Sequence, residues 1–214
     1  MSNMKDAEAR YYVFYKPYLT TSHFGLSSKD KRTLTDYLTL PKDVYPVGRL
    51  DHDSEGLLIL TNDVTLHHKL MHPKFKVTKT YLAQLEGDID EIALTKLKKG
   101  VTISHEKNSY ITKPAIVEKL ITSPNLSERN PPIRYRKSIP TSWISITISE
   151  GKNRQVRKMC ASVGFPVLRL HRSKIGELGL DALLPGECVM LDRENISIKL
   201  GLQMSNSPII RHRK

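Results

Sequence analysis

The chain has 214 residues, 39% of them hydrophobic and 26% charged, with 34 Lys+Arg against 22 Asp+Glu and a formal net charge of +12. That length supports one large domain or two small lobes with a substantial core, and no apolar run reaches the roughly eighteen residues of a membrane helix. The N-terminus lacks the apolar stretch of a signal peptide, and two cysteines far apart, Cys160 and Cys188, make neither a zinc site nor a disulfide framework. A cytoplasmic protein without a membrane partner is therefore expected.

In chain order, residues 1–10 read as a frayed leader. YYVFYKP (11–17) is aromatic and β-branched and stops at Pro17, which predicts a strand. Residues 20–32 are polar and predict a mobile loop. TLTDYL (33–38) suits a short helix capped by Thr33, GLLILT (56–61) a strand, and Asn62 or Asp63 caps a helix running to about Met71, before Pro73. KTYLAQLEG (79–87) predicts another strand. DIDEIALTKLKKG (88–100), with acids first, lysines last and a glycine beyond, is a complete helix signature. Strands follow at 101–104 and 112–121, then a long Pro-rich basic insertion at 122–142, which at that length is functional or disordered. SWISITISE (142–150) alternates Ile144, Ile146 and Ile148 with Ser and Thr, a half-buried strand. GKNRQVRKMCASVG (151–164) predicts a helix, with strands at 165–176 and 186–192, and 193–214 reads as a basic tail. Strands outnumber helices yet alternate with them, so the fold class is α+β with a mixed, largely antiparallel sheet flanked by helices.

The positive charge favours a polyanionic partner, because each neutralised phosphate releases condensed counterions. It is also clustered: Lys152, Arg154, Arg157 and Lys158 fall within seven residues, and Arg169, Arg172 and Lys174 follow. The chemistry-bearing stretch is VGRLDHDSEGLLILTND (47–63), with Asp51, Asp53 and Glu55 just ahead of a buried strand. Its D-x-D-x-E-G lettering imitates a calcium loop, but the ninth and twelfth positions are Ile59 and Asn62, where the ion needs a polar ligand and a bidentate Glu. His68 and His72 share a helix face, yet Lys69 stands where a metalloprotease has its glutamate. No Walker A loop, G-x-G-x-x-G or G-x-S-x-G is present. Cys160 reads as an inert core thiol. A carboxylate working on a polyanion remains: held beside guanidinium groups it stays ionised and serves as nucleophile or base. Asp51 ranks first, anchored between Leu50 and the strand, with a structural turn carboxylate as the alternative. Asp53 and Glu55 are expected at the solvated tip of the turn.

GRLDHDSEGLLILTND resembles the catalytic motif of RNA pseudouridine synthases of the RsuA family, G-R-L-D followed by a short turn and an apolar strand. Three further stretches resemble family motifs in the right order: YYVFYKP, KTYLAQLEG and EGKNRQVRKMCASVGFPVLRLHRSKIG. The likeness covers about residues 11–192, implying a pseudouridine synthase catalytic domain of two lobes around a basic cleft, with no cofactor and no metal. It implies Asp51 as the nucleophile, Tyr81 as the tyrosine packing on the flipped base, and Arg157 as the basic residue paired with the aspartate. Arg49 and Leu170 match positions that shape the site. Only about ten residues precede the first strand, so the S4 module common in the family is not expected. The short chain and PPIRYRKSIPTSW resemble the RluE branch, which modifies large-subunit ribosomal RNA. Lys152, Arg154 and Lys158, with Arg129, Arg134, Arg136 and Lys137 of the insertion, are expected to supply the grip on RNA. The partner is then large-subunit (23S) ribosomal RNA and not DNA, and the protein is expected to be a monomer.

Overall fold

A computed structural model describes residues 8–28, 31–106, 108–134 and 136–202. Its strands are β1 (Tyr11–Lys16), β2 (Tyr45–Pro46), β3 (Glu55–Thr61), β4 (Lys79–Glu86), β5 (Thr102–His105), β6 (Asn108–Ile111), β7 (Ile116–Leu120), β8 (Thr141–Ile148), β9 (Val167–Ile175) and β10 (Cys188–Leu191). The α-helices are α1 (Val64–Met71), α2 (Glu91–Lys99), α3 (Gln155–Ser162) and α4 (Arg193–Leu200). One mixed sheet runs in the order β10-β1-β3-β9-β4-β8-β7, with β2 beside β3, and β5–β6 form a separate hairpin. Every pairing is antiparallel except β3 with β9. This is the expected α+β class.

The local reasons are conventional. Asp63 caps α1 by accepting from the backbone N–H of Thr65 and Leu66, and Asp90 caps α2 through Ala93. β8 hides Ile144, Ile146 and Ile148, as its alternation requires. β3 is buried along its whole length because a strand lies on either side and apolar groups cover both faces. The apolar residues fall into separate clusters. Tyr81, Ala83, Leu85, Ile144, Ile146 and Leu170 belong to one, under α2 and α3, while Tyr11, Val13, Leu57, Ile59, Ile175 and Ile196 belong to another.

Among the described residues, the two halves of the sheet pair only where β3 meets β9, at Glu55–His171 and Gly56–Arg172. Gly56 makes that approach possible. Its φ is +108°, and a Cβ there would lie 2.3 Å from the Arg172 carbonyl oxygen, so no other residue fits.

The short helix expected after Thr33 is a single 3-10 turn over Leu34–Asp36 with Thr33 as its N-cap. Several expectations change. The loop at 20–32 is anchored in its described part: Thr20 and Ser22 are buried, and Thr20 bridges to Arg32. Residues 8–10 are tied down, with the Arg10 N–H donating to Asn62 Oδ1 at 2.8 Å and Asn62 Nδ2 donating to the Glu8 carbonyl. The span 101–121 holds the β5–β6 hairpin as well as β7. Residues 193–200, expected as tail, form α4, because Asp192 caps it and Ile196 and Leu200, one turn apart, are buried. The end of that tail, with Arg211, Arg213 and Lys214, lies outside the described residues.

Candidate active site

The loop between β2 and β3 is fixed from two directions. Val47 donates its N–H to Ile59, and Ser22 grips Leu50 twice, its Oγ donating to the Leu50 carbonyl at 2.8 Å and accepting from the Leu50 N–H at 3.0 Å. The Leu50 side chain is buried in the cluster that contains Tyr81, Val156 and Leu170. The Ser54 N–H then closes a tight turn on the Asp51 carbonyl. Asp51 thus sits next to a residue locked into the far half of the molecule.

The three carboxylates separate by what they face. Asp51 lines a cleft of about 1120 Å³, and its nearest cation is Arg154, whose Nη1 lies 3.8 Å from Oδ2. Asp53 is clamped by Arg154 in a bidentate pair at 2.8 and 2.7 Å, with Arg157 Nη2 at 3.4 Å. Burial pushes the Asp53 carboxyl upward, but the Arg154 hydrogen bonds and the two guanidinium charges outweigh it and hold the group below its ordinary range. Glu55 is 3% exposed and doubly bonded to Arg169, at 2.7 and 3.0 Å. The expectation that Asp53 and Glu55 sit at a solvated tip is corrected for Glu55, the buried first residue of β3 facing Arg169 of β9. Asp53 is half-buried in the turn and held by Arg154 and Arg157 at the start of α3.

Arg157 also differs from expectation. It spends its guanidinium on the Asp53 carbonyl (2.6 Å) and the Val167 carbonyl (3.2 Å) and forms its ion pair with the Asp53 carboxylate at 3.4 Å, so Arg154 is the cation nearer Asp51. Arg154 has left-handed backbone (φ +52°) as the residue preceding α3, which turns its side chain toward the loop. Lys16, fully buried behind this region, donates to the Pro17 and Thr20 carbonyls; burial lowers its pKa to about 7, and nearby Glu55, Asp53 and Asp51 oppose that shift.

Of the other expected site residues, Arg49, Tyr81, Leu170 and Lys152 line the same cleft as Asp51. Lys152 places its Nζ 4.8 Å above the Tyr110 ring, and Tyr110 donates to Glu150 at 2.7 Å. Lys158, Arg134 and Arg136 are not brought there. Lys158 donates to the Ser104 carbonyl, tying α3 to the hairpin, and Arg136 pairs with Glu86 at 3.0 Å. Arg129 stacks on Tyr18, 4.2 Å from the ring centroid. The cleft gains Lys76, Lys79, Lys113 and Gln155, which sequence reasoning missed, and Arg172, which it named only among the clustered cations. Strand alternation was a usable signal for Arg172, which shares a face with Leu170. None exists for Ser22, whose partner lies 28 positions away. Among the described residues no cluster of His, Cys, Asp and Glu suits a metal ion, and no helix is long and apolar enough to cross a membrane.

An aspartate on a locked loop, facing a tyrosine and a leucine across a cleft large enough for a nucleotide, matches known proteins along most of the chain. The RNA pseudouridylate synthase family model matches residues 10–162. Ribosomal large subunit pseudouridine synthase E of Vibrio parahaemolyticus is 51% identical over 175 residues, covering 82% of this chain and 71% of that protein. The enzyme of the same name from Xanthomonas campestris is 49% identical over 173 residues, covering 80% of this chain and 90% of that one. Among solved structures, a crystal structure of a pseudouridylate synthase superposes with a TM-score of 0.72 at 30% identity, covering 90% of this chain and 74% of that one. The motifs, the fold and the cleft therefore lead to one conclusion: the chain belongs to the RNA pseudouridylate synthase family and is an enzyme of that class.

Proposed function

We propose that the chain isomerises a uridine of large-subunit ribosomal RNA to pseudouridine, with Asp51 as the nucleophile. The observation that carries this reading is the placement of Asp51 at the end of a doubly anchored loop, open to a cleft it shares with Tyr81 and Leu170. The target nucleotide must leave its stack to reach the cleft, at a cost of a few kcal/mol. Tyr81 and Leu170 offer a largely apolar face for the freed base, and the tyrosine adds a polar tip for proton removal. Arg154 and Arg157 hold the turn through Asp53 and place positive charge beside Asp51. Arg49, Lys76, Lys113 and Lys152 line the cleft and supply contacts to phosphates. Arg134 and Arg136 serve, at most, outer turns of the RNA. The large ribosomal subunit is the preferred target because the relatives near 50% identity carry that name. The domain is taken to span 11–192 with α4 packed onto it, acting as a monomer.

The reaction conserves every atom of the nucleotide. Asp51 forms a covalent bond to the nucleotide that breaks again before product leaves; in net terms the C1′–N1 bond breaks, the uracil turns, C1′ bonds to C5, the C5 proton leaves and N1 takes one up. The test follows from that proton. Large-subunit RNA carrying uridine tritiated at C5 should release tritium with the wild-type protein and none with Asp51→Asn, while the variant keeps its melting temperature and RNA affinity. Tritium release by Asp51→Asn at the wild-type rate would overturn the assignment.

A further inference from the structure

Two arginines of β9, three positions apart, are both buried, and they are used in opposite ways. Arg169 is paired within the chain: Glu55 takes two of its five N–H groups and the Ser127 carbonyl, at 2.7 Å, a third. Arg172 is 4% exposed and lines the cleft. Its Nε donates to the Leu57 carbonyl at 2.8 Å, which fixes the plane of the guanidinium. Its Nη2 is buried and has no hydrogen-bond partner, and among the described residues no carboxylate lies within ion-pairing distance of it.

Burying a charged donor without an acceptor costs more than an ordinary hydrogen bond returns. Such a group persists where something outside the chain completes it. The neighbours say what enters. Arg172 pairs across the sheet with Tyr81, and Leu170 pairs with Ala83, so Tyr81, Leu170 and Arg172 present themselves on one face. The flanking Lys79 is also partly buried, and burial followed by the Arg172 charge lowers its pKa. Gly56, on the other side of Arg172, contributes no side chain.

Depth separates the candidate acceptors. Arg49, Lys76 and Lys113 line the cleft and are exposed, open to the phosphates of an RNA that reaches it. Arg172 lies beneath them, reachable only by a group that enters the cleft floor, and a flipped base is such a group. When the C1′–N1 bond breaks, its electron pair goes to the uracil, whose negative charge spreads onto the two carbonyl oxygens. A fixed donor aimed at developing charge is worth far more in a water-poor site than in solution.

We propose that Arg172 donates through Nη2 to a carbonyl oxygen of the flipped uracil and stabilises the base while it is detached from the sugar. The contact is a hydrogen bond with no proton transfer. It rests on the pseudouridine synthase reading above.

The test uses single-turnover kinetics with full-length protein and large-subunit RNA, each variant's melting temperature being recorded. Arg172→Met should slow conversion of bound RNA by about 10²-fold with its Kd within threefold, and Arg172→Lys should recover part of the rate. A second arm needs only wild-type protein, on RNA carrying 2-thiouridine or 4-thiouridine at the target, since sulfur accepts hydrogen bonds weakly. One of the two should react at least tenfold more slowly than uridine, and that penalty should shrink in Arg172→Met. The proposal is overturned if Arg172→Met reacts within threefold of wild type, or if its loss lies in Kd alone, which would assign the contact to a phosphate. Should Arg172→Met fail to fold, both thio-substituted RNAs reacting within twofold of uridine in the wild type would overturn it. A wild-type protein with no activity on any of these RNAs would instead refute the underlying reading.

Discussion

Asp51, Asp53 and Glu55 lie within five residues, and the groups opposite them decide their roles. Glu55 meets a buried arginine, Asp53 two arginines at the rim, and Asp51 the open cleft. The exposed Asp53 pairs add little stability by themselves; their use is to hold the turn that presents Asp51. Behind them, His171 is 3% exposed, lies edge-on to Tyr15, and has no partner for either ring nitrogen. Burial, assisted by the Arg169 charge, pushes its pKa from 6.5 down to about 4. The unfolded chain takes up that proton near 6.5 and the native one only near 4, so this contribution to stability is complete above 6.5 and is lost as pH falls toward 4. The loss reaches at most about 3 kcal/mol. Urea midpoints of wild type and His171→Phe should therefore diverge between pH 7 and pH 4.5, with the wild type falling further. Parallel curves would remove the role given to His171.

At the scale of elements, the β3–β9 junction is the narrowest point of the sheet, and Gly56 is its hinge pin. Gly56→Ala would place a Cβ against the Arg172 backbone at a φ that alanine avoids. A loss of about 3 kcal/mol or more in denaturant unfolding is expected, against less than about 1 kcal/mol for Ala at the exposed Gly151, whose φ is not positive and where nothing lies within 4 Å. The strands and helices themselves were legible in the sequence wherever periodicity and caps agreed, as in β8 with its alternating isoleucines or α2 with Asp90 ahead and Gly100 behind. α4 carried the same signals, a capping Asp192 and Ile196 with Leu200, but they are diluted by a polar face and a charged tail. Asp51 was ranked first among the carboxylates from its place ahead of a buried strand, and the resemblance added Tyr81 and Leu170, all three of which line the cleft. What stayed hidden depends on contacts between distant positions: Ser22 on Leu50, Arg169 on Glu55, and Arg157 on Asp53 instead of Asp51.

For the whole molecule, a cleft formed where two halves of one sheet meet puts loop, tyrosine and arginines around a single volume. Net charge of +12 supplies a long-range attraction to RNA, but position determines which cations matter. Replacing Lys76 and Lys113 with Ala should weaken RNA binding and reduce the slope of log Kd against log salt by about 1–2. Replacing Arg134 and Arg136, which do not line the cleft, should change the slope by less than half as much. The reverse order would place the RNA on the 122–142 insertion. The central claim, that Asp51 of this chain makes pseudouridine in large-subunit ribosomal RNA, is tested most directly by mapping pseudouridines in 23S RNA from cells lacking the protein and from the same cells supplied with wild type or Asp51→Asn. The account predicts a site that disappears with the protein, returns with wild type and stays absent with Asp51→Asn. A map unchanged by loss of the protein, or restored by Asp51→Asn, would contradict it.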